Sequence, residues 1–132
     1  DWELLASQTP SQVALESASL IEKLIVLNLH GRNIQRIDPV ALQRLTQMDT
    51  LLLSCNLLES MAGLANLPTL TCLDVSFNLI QKIDALPGIQ KLRRLDAGWN
   101  SMQEPQDVLQ TCARDVPLLE DLRLGRSFQA LS

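Results

Sequence analysis

Residues 70–80 have the sequence Leu70-Thr-Cys-Leu73-Asp-Val75-Ser-Phe-Asn78-Leu-Ile80, and this spacing decides the fold. Aliphatic residues stand at the first, fourth and sixth positions, asparagine at the ninth and a further aliphatic residue at the last. The pattern begins again at residues 24, 48, 92 and 119, so successive copies start 24, 22, 22 and 27 residues apart. Five copies in one register indicate that a single repeat organises residues 24–127.

The aliphatic triplet of each copy predicts a short β-strand, because alternate side chains of a strand point to the same side. One copy cannot bury its leucines alone, but stacked copies share a continuous core. The sequence therefore predicts an α/β solenoid, a horseshoe with a parallel concave sheet of about five short strands. Its convex side should consist of 3₁₀ and α-helical return segments.

The asparagines of the middle copies, Asn56, Asn78 and Asn100, stand where the chain turns away from the strand. An amide side chain both donates and accepts, so it can satisfy backbone groups that the bend leaves unpaired. We therefore predict a structural asparagine ladder. The terminal copies depart from the pattern, with Arg32 and Ser127 at the equivalent position.

The return segments differ in length and predict different structures. In the 22-residue copies, aliphatic residues recur every third position, which favours 3₁₀ turns. In the longer copies, Asp38-Pro39 and Glu104-Pro105 are typical helix starts. The expected inward-facing residues of these two helices are Val40, Leu42, Leu45, Val108, Leu109 and Cys112.

The ends of the chain do not follow the repeat, and we expect residues 1–132 to form one domain. Residues 1–23 contain Thr9-Pro10-Ser11-Gln12, a capping box that predicts an N-terminal helical cap over the first strand. Residues 128–132 are too few to cover the last strand, which predicts a chain cut from a longer protein.

Composition narrows the classes of function. The 132 residues carry a net charge of −4 and no basic block, which argues against direct nucleic-acid binding. No apolar run is long enough to span a membrane. Three cysteines without a CxxC motif favour a reducing, intracellular setting.

Residues with catalytic or metal-binding potential are sparse, so we expect no enzyme, no cofactor and no metal site. His30 is the only histidine, and Cys55, Cys72 and Cys112 are expected to be small buried or half-buried residues. Asp74 and Asp96 occupy the same position in adjacent copies. They could form an acid pair, but surface aspartates balanced by neighbouring arginines are the favoured interpretation.

The phrases Leu51-Leu-Leu-Ser-Cys-Asn56-Leu and Leu73-Asp-Val-Ser-Phe-Asn78-Leu-Ile-Gln-Lys-Ile83 carry a family resemblance. They resemble leucine-rich repeats of the 22-residue class typified by the nuclear regulatory subunit of protein phosphatase 1. The phrase Leu27-Asn-Leu-His-Gly31 is similar to ciliary and centrosomal members, in some of which a long coiled coil follows the repeats. The resemblance implies a non-catalytic protein-binding scaffold in the cytoplasm, at a centrosome, basal body or cilium.

Binding residues are expected at the variable positions of the strands and at the adjoining rim, where Phe77 and Trp99 should form an aromatic ridge. The predicted partner-binding residues are Val26, Asn28, Thr50, Leu52, Cys72, Asp74, Arg94, Asp96, Arg123, Phe77 and Trp99. The partner is expected to be another protein. Two alternatives remain open: a homodimer formed through the C-terminal edge, and a ribonucleoprotein subunit that acts with an RNA-binding protein.

Overall fold

A computed structural model describes residues 23–64 and 66–128 of the chain. Short strands alternate with return segments of varying structure. In chain order these elements are β1 (Val26–Asn28), α1 (Pro39–Leu42), β2 (Thr50–Leu52), a 3₁₀ turn (Ala62–Leu64), β3 (Cys72–Asp74), a second 3₁₀ turn (Leu86–Gly88), β4 (Arg94–Asp96), α2 (Pro105–Asp115) and β5 (Asp121–Arg123).

The five strands form one parallel sheet in the order β1-β2-β3-β4-β5. Equivalent residues of successive copies pair, so Leu51 lies between Leu27 and Leu73. The middle residue of β1 to β4 is buried, and Leu122 of the outer strand β5 is half-buried. The flanking residues of each strand face the opposite side. The predicted solenoid with a parallel sheet of five short strands is confirmed.

The core of the described residues is a lattice of aliphatic side chains. Leu58, Leu64, Leu70, Leu86 and Leu92 have no exposed surface. Three methionines complete the lattice: Met48, Met61 and Met102, each at most 1% exposed. Regular leucine spacing therefore supplies a close-packed interior without aromatic rings.

The helix α1 starts as its sequence predicts, since the Asp38 carboxylate accepts a hydrogen bond from the Val40 backbone N–H at 3.0 Å. Leu42 and Leu45 are buried beneath it. The prediction was wrong for Val40, whose surface is 65% exposed. The helix is only four residues long, and the second residue of its single turn points to solvent.

The helix α2 also follows its predicted start and ends before Pro117. Glu104 precedes it without a side-chain capping bond, so Pro105 alone marks the start. Val108 and Cys112 are buried at a spacing of one helical turn. The prediction was wrong for Leu109, which is 54% exposed because it lies about 100° around the helix from Val108.

The two 22-residue copies return through the predicted 3₁₀ turns. Leu64 and Leu86 anchor these turns in the core. Gly63 lets the first turn approach the preceding copy, because a Cβ atom there would clash with the Ile37 carbonyl oxygen. The first two convex segments are therefore in close contact at Gly63.

The predicted N-terminal helical cap lies outside the described residues, apart from Lys23. The last four residues of the predicted C-terminal end also lie outside them. Within the described part of the chain, no helix has the length and apolar character that crossing a membrane requires.

Candidate functional site

A column of asparagine side chains runs through the stack behind the sheet. The Asn78 amide nitrogen donates to the carbonyl oxygens of Leu53, at 2.9 Å, and Val75, at 3.0 Å. Its Oδ1 accepts a hydrogen bond from the Leu58 backbone N–H at 3.0 Å. Each side chain thus joins its own copy to the preceding one. Asn56 and Asn100 make equivalent bonds.

In the terminal copies, other residues make hydrogen bonds at the position that asparagine occupies in the middle copies. The Arg32 backbone N–H donates to Asn56 Oδ1 at 2.9 Å, so the first copy uses the asparagine of the second. In the last copy the Ser127 hydroxyl donates to the Ala97 carbonyl and accepts from the Asn100 N–H at 3.3 Å. We call Asn56, Asn78 and Asn100 the asparagine column.

The residue before each ladder position forms a second column with an unusual backbone. Gly31, Cys55, Phe77, Trp99 and Arg126 all have positive φ, between 54° and 65°. The backbone N–H groups of the first four donate to the next copy in the same way: Cys55 donates to the Ser76 carbonyl at 3.1 Å and Trp99 to the Gly125 carbonyl at 2.9 Å. We call these five residues the left-handed column. Sequence reasoning missed this conformation, and glycine at position 31 was its one sequence signal.

The left-handed column carries an exposed aromatic ridge. The rings of Phe77 and Trp99 stack with centroids 5.2 Å apart and planes inclined by 10°. The Arg126 guanidinium carbon lies 5.4 Å from the Trp99 ring centroid. Along the left-handed column, the Trp99 indole therefore lies between the Phe77 ring and the Arg126 guanidinium. Phe77 and Trp99 remain 49% and 50% exposed, so their edges form a rigid apolar surface beside the sheet.

The concave face presents the flanking residues of all five strands. Its centre is a depression of about 200 Å³. Six predicted binding residues line it: Leu52, Cys72, Asp74, Arg94, Asp96 and Arg123. Val26, Asn28 and Thr50 lie on the same face outside this lining, and Phe77 and Trp99 lie on the rim. The structure thus brings together six of the predicted residues, contributed by β2 to β5.

Three carboxylates line the depression, and backbone N–H groups hold two of them, those of Asp74 and Asp96. Asp74 Oδ1 accepts from the Ser76 N–H at 2.9 Å and from the Ser76 hydroxyl at 2.6 Å. Asp96 Oδ1 accepts from the Gly98 N–H at 3.1 Å. These bonds fix two side chains whose residues pair in register on adjacent strands.

None of the ion pairs among the described residues joins an arginine to Asp74 or Asp96. Arg123 pairs with Asp121 at 3.4 Å, and Arg93 with Glu120 at 2.7 Å. Arg94 and Arg123 nevertheless line the same depression, so the expected balance of these aspartates by neighbouring arginines does not take the form of direct ion pairs. Burial raises the pKa of the Cys72 thiol above its usual value. Arg94 opposes this rise in pKa, whereas Asp74, Asp49 and Asp121 add to it.

The three cysteines have different surroundings. Cys112 is buried under α2, and burial, together with Asp115, raises the pKa of its thiol. Cys72 is half-buried. The expectation of a small buried residue was wrong for Cys55, which is exposed because the left-handed column points outward. Among residues 23–64 and 66–128, no three histidine, cysteine or acidic side chains are grouped as metal ligands would be.

Comparison with known proteins agrees with this geometry. Residues 22–80 match the family model described as leucine rich repeat. The fold of the described chain is accordingly that of a leucine-rich-repeat protein.

Solved structures share this fold over most of the chain. Internalin C2 from Listeria monocytogenes is 23% identical, with a TM-score of 0.69 over 92% of this chain and 50% of its own. The leucine-rich repeat domain of APL1B is 21% identical, with a TM-score of 0.66 over 96% of this chain and 39% of its own. The chain thus spans half or less of these neighbours. No curated protein matches its sequence.

Proposed function

We propose that the protein is a non-catalytic scaffold that binds another protein through its concave face and the adjoining rim. The observation that carries this proposal is the concave face itself. One side of the parallel sheet is filled by the leucine lattice, and the other presents side chains that no described residue covers. Short strands in a stacked lattice hold those side chains in fixed positions, so little ordering entropy is lost on binding.

The chemistry of the face supports a protein partner. Its N-terminal part is apolar, with Ile25 and Val26 each more than half exposed. Its C-terminal part carries charges of both signs, including Asp96 and Arg123. A surface that combines apolar and charged patches beside an aromatic ridge suits a protein better than a small substrate.

A site of action at a centrosome, basal body or cilium, in the cytoplasm, is part of the proposal. It rests on the resemblance of residues 27–31 to ciliary and centrosomal repeats. Three free cysteines among the described residues suit a reducing compartment. Imaging of the fluorescently tagged chain against a centrosomal marker tests the location, and uniform cytoplasmic signal would remove this part.

Binding through the concave face is tested with the partner captured by pull-down from a cytoskeletal extract. Trp99→Ala should weaken the complex by about 2 kcal/mol, as for a central aromatic anchor. Arg94→Glu should also weaken it, with an effect that shrinks as salt rises. The matched control is Gln90→Glu, an exposed residue after the second 3₁₀ turn, which should bind like wild type.

Binding isotherms and thermal melts are recorded for each variant, so that loss of folding is separated from loss of binding. If Trp99→Ala and Arg94→Glu bind normally and Gln90→Glu does not, the convex side is the binding surface and the proposal fails.

Self-association is the second candidate. Within the described residues, β5 pairs with β4 alone and has no strand on its other side, so it presents an edge to which a second copy could add. Light scattering decides between a monomer and a homodimer. A ribonucleoprotein role would need a protein partner to contact the RNA, because the net charge of −4 opposes direct contact.

A further inference from the structure

The turns that follow the five strands carry no acidic residue, although the whole chain contains 15 of them. We call these turns the turn surface: residues 30–33, 54–57, 76–79, 98–101 and 125–128. The turns stack copy on copy through backbone hydrogen bonds, as where the Phe77 N–H donates to the Gly98 carbonyl at 2.9 Å. The formal charges of the turn surface are therefore positive, from Arg32 and Arg126.

Apolar side chains occupy the middle of the turn surface. Leu57, Phe77, Leu79 and Trp99 are each between 40% and 50% exposed. Gly31 has the same backbone conformation as Phe77 without a side chain, so the backbone of these turns does not require a ring. The stacked rings add a rigid apolar surface on which a partner loses little ordering entropy.

A cation adjoins this apolar surface at Arg126, whose guanidinium carbon lies 5.4 Å from the Trp99 ring centroid. None of the ion pairs among the described residues includes Arg126. The Asp96 carboxylate, which precedes the neighbouring turn, accepts a hydrogen bond from the Gly98 N–H instead. A planar guanidinium directs its N–H groups outward in its own plane, where two of them can bond both oxygens of one carboxylate. Arg126 is thus placed to receive a carboxylate from another molecule.

We infer that the turn surface binds an apolar segment of the partner protein that carries an acidic residue beside its apolar ones, an inference that rests on the proposed function. The apolar side chains pack against Phe77 and Trp99, and the carboxylate pairs with Arg126. The ring-to-ring distance of 5.2 Å and the ring-to-guanidinium distance of 5.4 Å together match about three residues of an extended chain. The segment therefore has its acidic residue within about three positions of its apolar contacts.

Charge distinguishes this occupant from the other candidates. A basic segment would be repelled by Arg126, which has no ion pair with a described carboxylate to offset its charge. A lipid surface or an RNA could contact exposed rings and an arginine, but both carry many negative charges. The net charge of −4 opposes the approach of either one, whereas a short segment with a single carboxylate meets only the local cation.

The test selects binders from a random linear peptide library displayed on phage, with the whole chain as bait. The enriched peptides should share an aspartate or glutamate close to aromatic or aliphatic residues. Their affinities are then measured by calorimetry for wild type, Arg126→Gln and Arg126→Lys. The matched control is Arg44→Gln, which removes one exposed arginine after α1, away from the turn surface. Thermal melts confirm that each variant is folded.

The Arg126→Gln variant should bind a selected peptide about tenfold more weakly, as expected for a lost charge-assisted hydrogen bond. Arg126→Lys keeps the charge and should recover part of the affinity, and Arg44→Gln should lose less than about twofold. Replacing the peptide carboxylate by an amide should weaken binding to wild type and have little further effect on Arg126→Gln. Equal losses for Arg126→Gln and Arg44→Gln would show diffuse attraction to positive charge and overturn the inference.

The remaining outcomes separate this inference from the proposed function. Peptides that lose affinity on Arg94→Glu but not on Arg126→Gln would overturn the inference and leave the concave scaffold standing. Peptides that are indifferent to both substitutions would overturn both, and failure to enrich any peptide would count against the turn surface alone.

Two direct binding measurements cover the other classes of partner. The chain is sedimented with vesicles of phosphatidylcholine and phosphatidylserine in equal parts, and it is titrated into fluorescent oligouridine. Neither probe should bind. Binding of either one that is lost on Trp99→Ala would assign the turn surface to lipid or RNA and overturn the inference.

Discussion

Two columns that are adjacent in sequence run the length of the stack and differ in almost every property. The asparagine column is chemically uniform, and its members Asn56 and Asn78 are each 5% exposed. The left-handed column combines glycine, cysteine, phenylalanine, tryptophan and arginine, and all five of its residues are exposed. Yet its backbone is regular, with every φ between 54° and 65°.

The contrast shows that one position of the repeat is constrained by side-chain hydrogen bonding and the other by backbone conformation. Buried backbone groups need a side chain that donates and accepts, so the asparagine column allows little variation. The left-handed column needs only a backbone conformation, which many residues adopt at a modest energetic cost. Its side chains are therefore free to differ between copies, and here they build the aromatic ridge.

The largest effect is expected in the asparagine column. Asn78→Leu should lower the free energy of unfolding by about 2–4 kcal/mol, because the Leu53 and Val75 carbonyls and the Leu58 N–H lose their partner. Chemical denaturation measures the change. Gln81→Ala, at an exposed position three residues on, is the control and should stay within about 0.5 kcal/mol. Equal midpoints for the two variants would remove the structural role of the asparagine column.

A smaller effect is expected on the aromatic ridge. Trp99→Ala removes the stacking with Phe77 and the contact with Arg126, and should lower the free energy of unfolding by about 1 kcal/mol. The protein should still fold, because half of the Trp99 surface is exposed. A loss as large as that of Asn78→Leu would mean that the two columns share one structural role.

The backbone of the left-handed column is tested at Cys55, whose φ is 58° and whose side chain is exposed. Cys55→Gly should raise the free energy of unfolding by up to about 0.5 kcal/mol, since glycine adopts positive φ without steric cost. Cys55→Val should lower it by about 1 kcal/mol, because a β-branched residue is disfavoured there. Thermal melts of both variants check the sign. Equal stability of the two variants, or a valine variant more stable than the glycine variant, would contradict the positive φ at Cys55.

The smallest perturbation leaves the sequence intact. Iodoacetamide should alkylate Cys55 first, Cys72 next and Cys112 last when followed at pH 8 by peptide mass spectrometry. Cys55 is exposed, whereas burial raises the pKa of Cys72 and Cys112 and so lowers the thiolate fraction of each. Cys112 should react at the rate of unfolding. Faster reaction at Cys112 than at Cys55 would contradict the packing of α2.

The asparagine column and the strands were predictable because spacing alone defines them. Leu73, Val75 and Asn78 recur in register, and their periodicity has one structural solution. The left-handed column was not predictable, because Cys55, Phe77 and Trp99 share no side-chain chemistry. Its common property lies in the backbone.

The candidate site also has features that could be predicted from the sequence and features that could not. The sequence predicts which residues face the concave side, since alternation fixes that within each strand. The spacing of residues in the sequence does not determine which charged side chains come within ion-pair distance. In the structure, Arg123 pairs with Asp121 of its own strand. The exposed faces of the helices were predicted less well, because Val40 and Leu109 sit on elements too short or too exposed to bury them.

The uniform spacing of the strands has a consequence for how the chain folds. Neighbouring strands pair over 22 to 27 residues of sequence, as Thr50 with Cys72 and Arg94 with Asp121. The entropy of loop closure grows so slowly with length that these distances differ by only about 0.2 kcal/mol. The entropy of loop closure therefore favours no strand pair over the others. Folding should nucleate where local bonds are densest, between the copies that contain Asn56, Asn78 and Asn100, and spread outward to both ends.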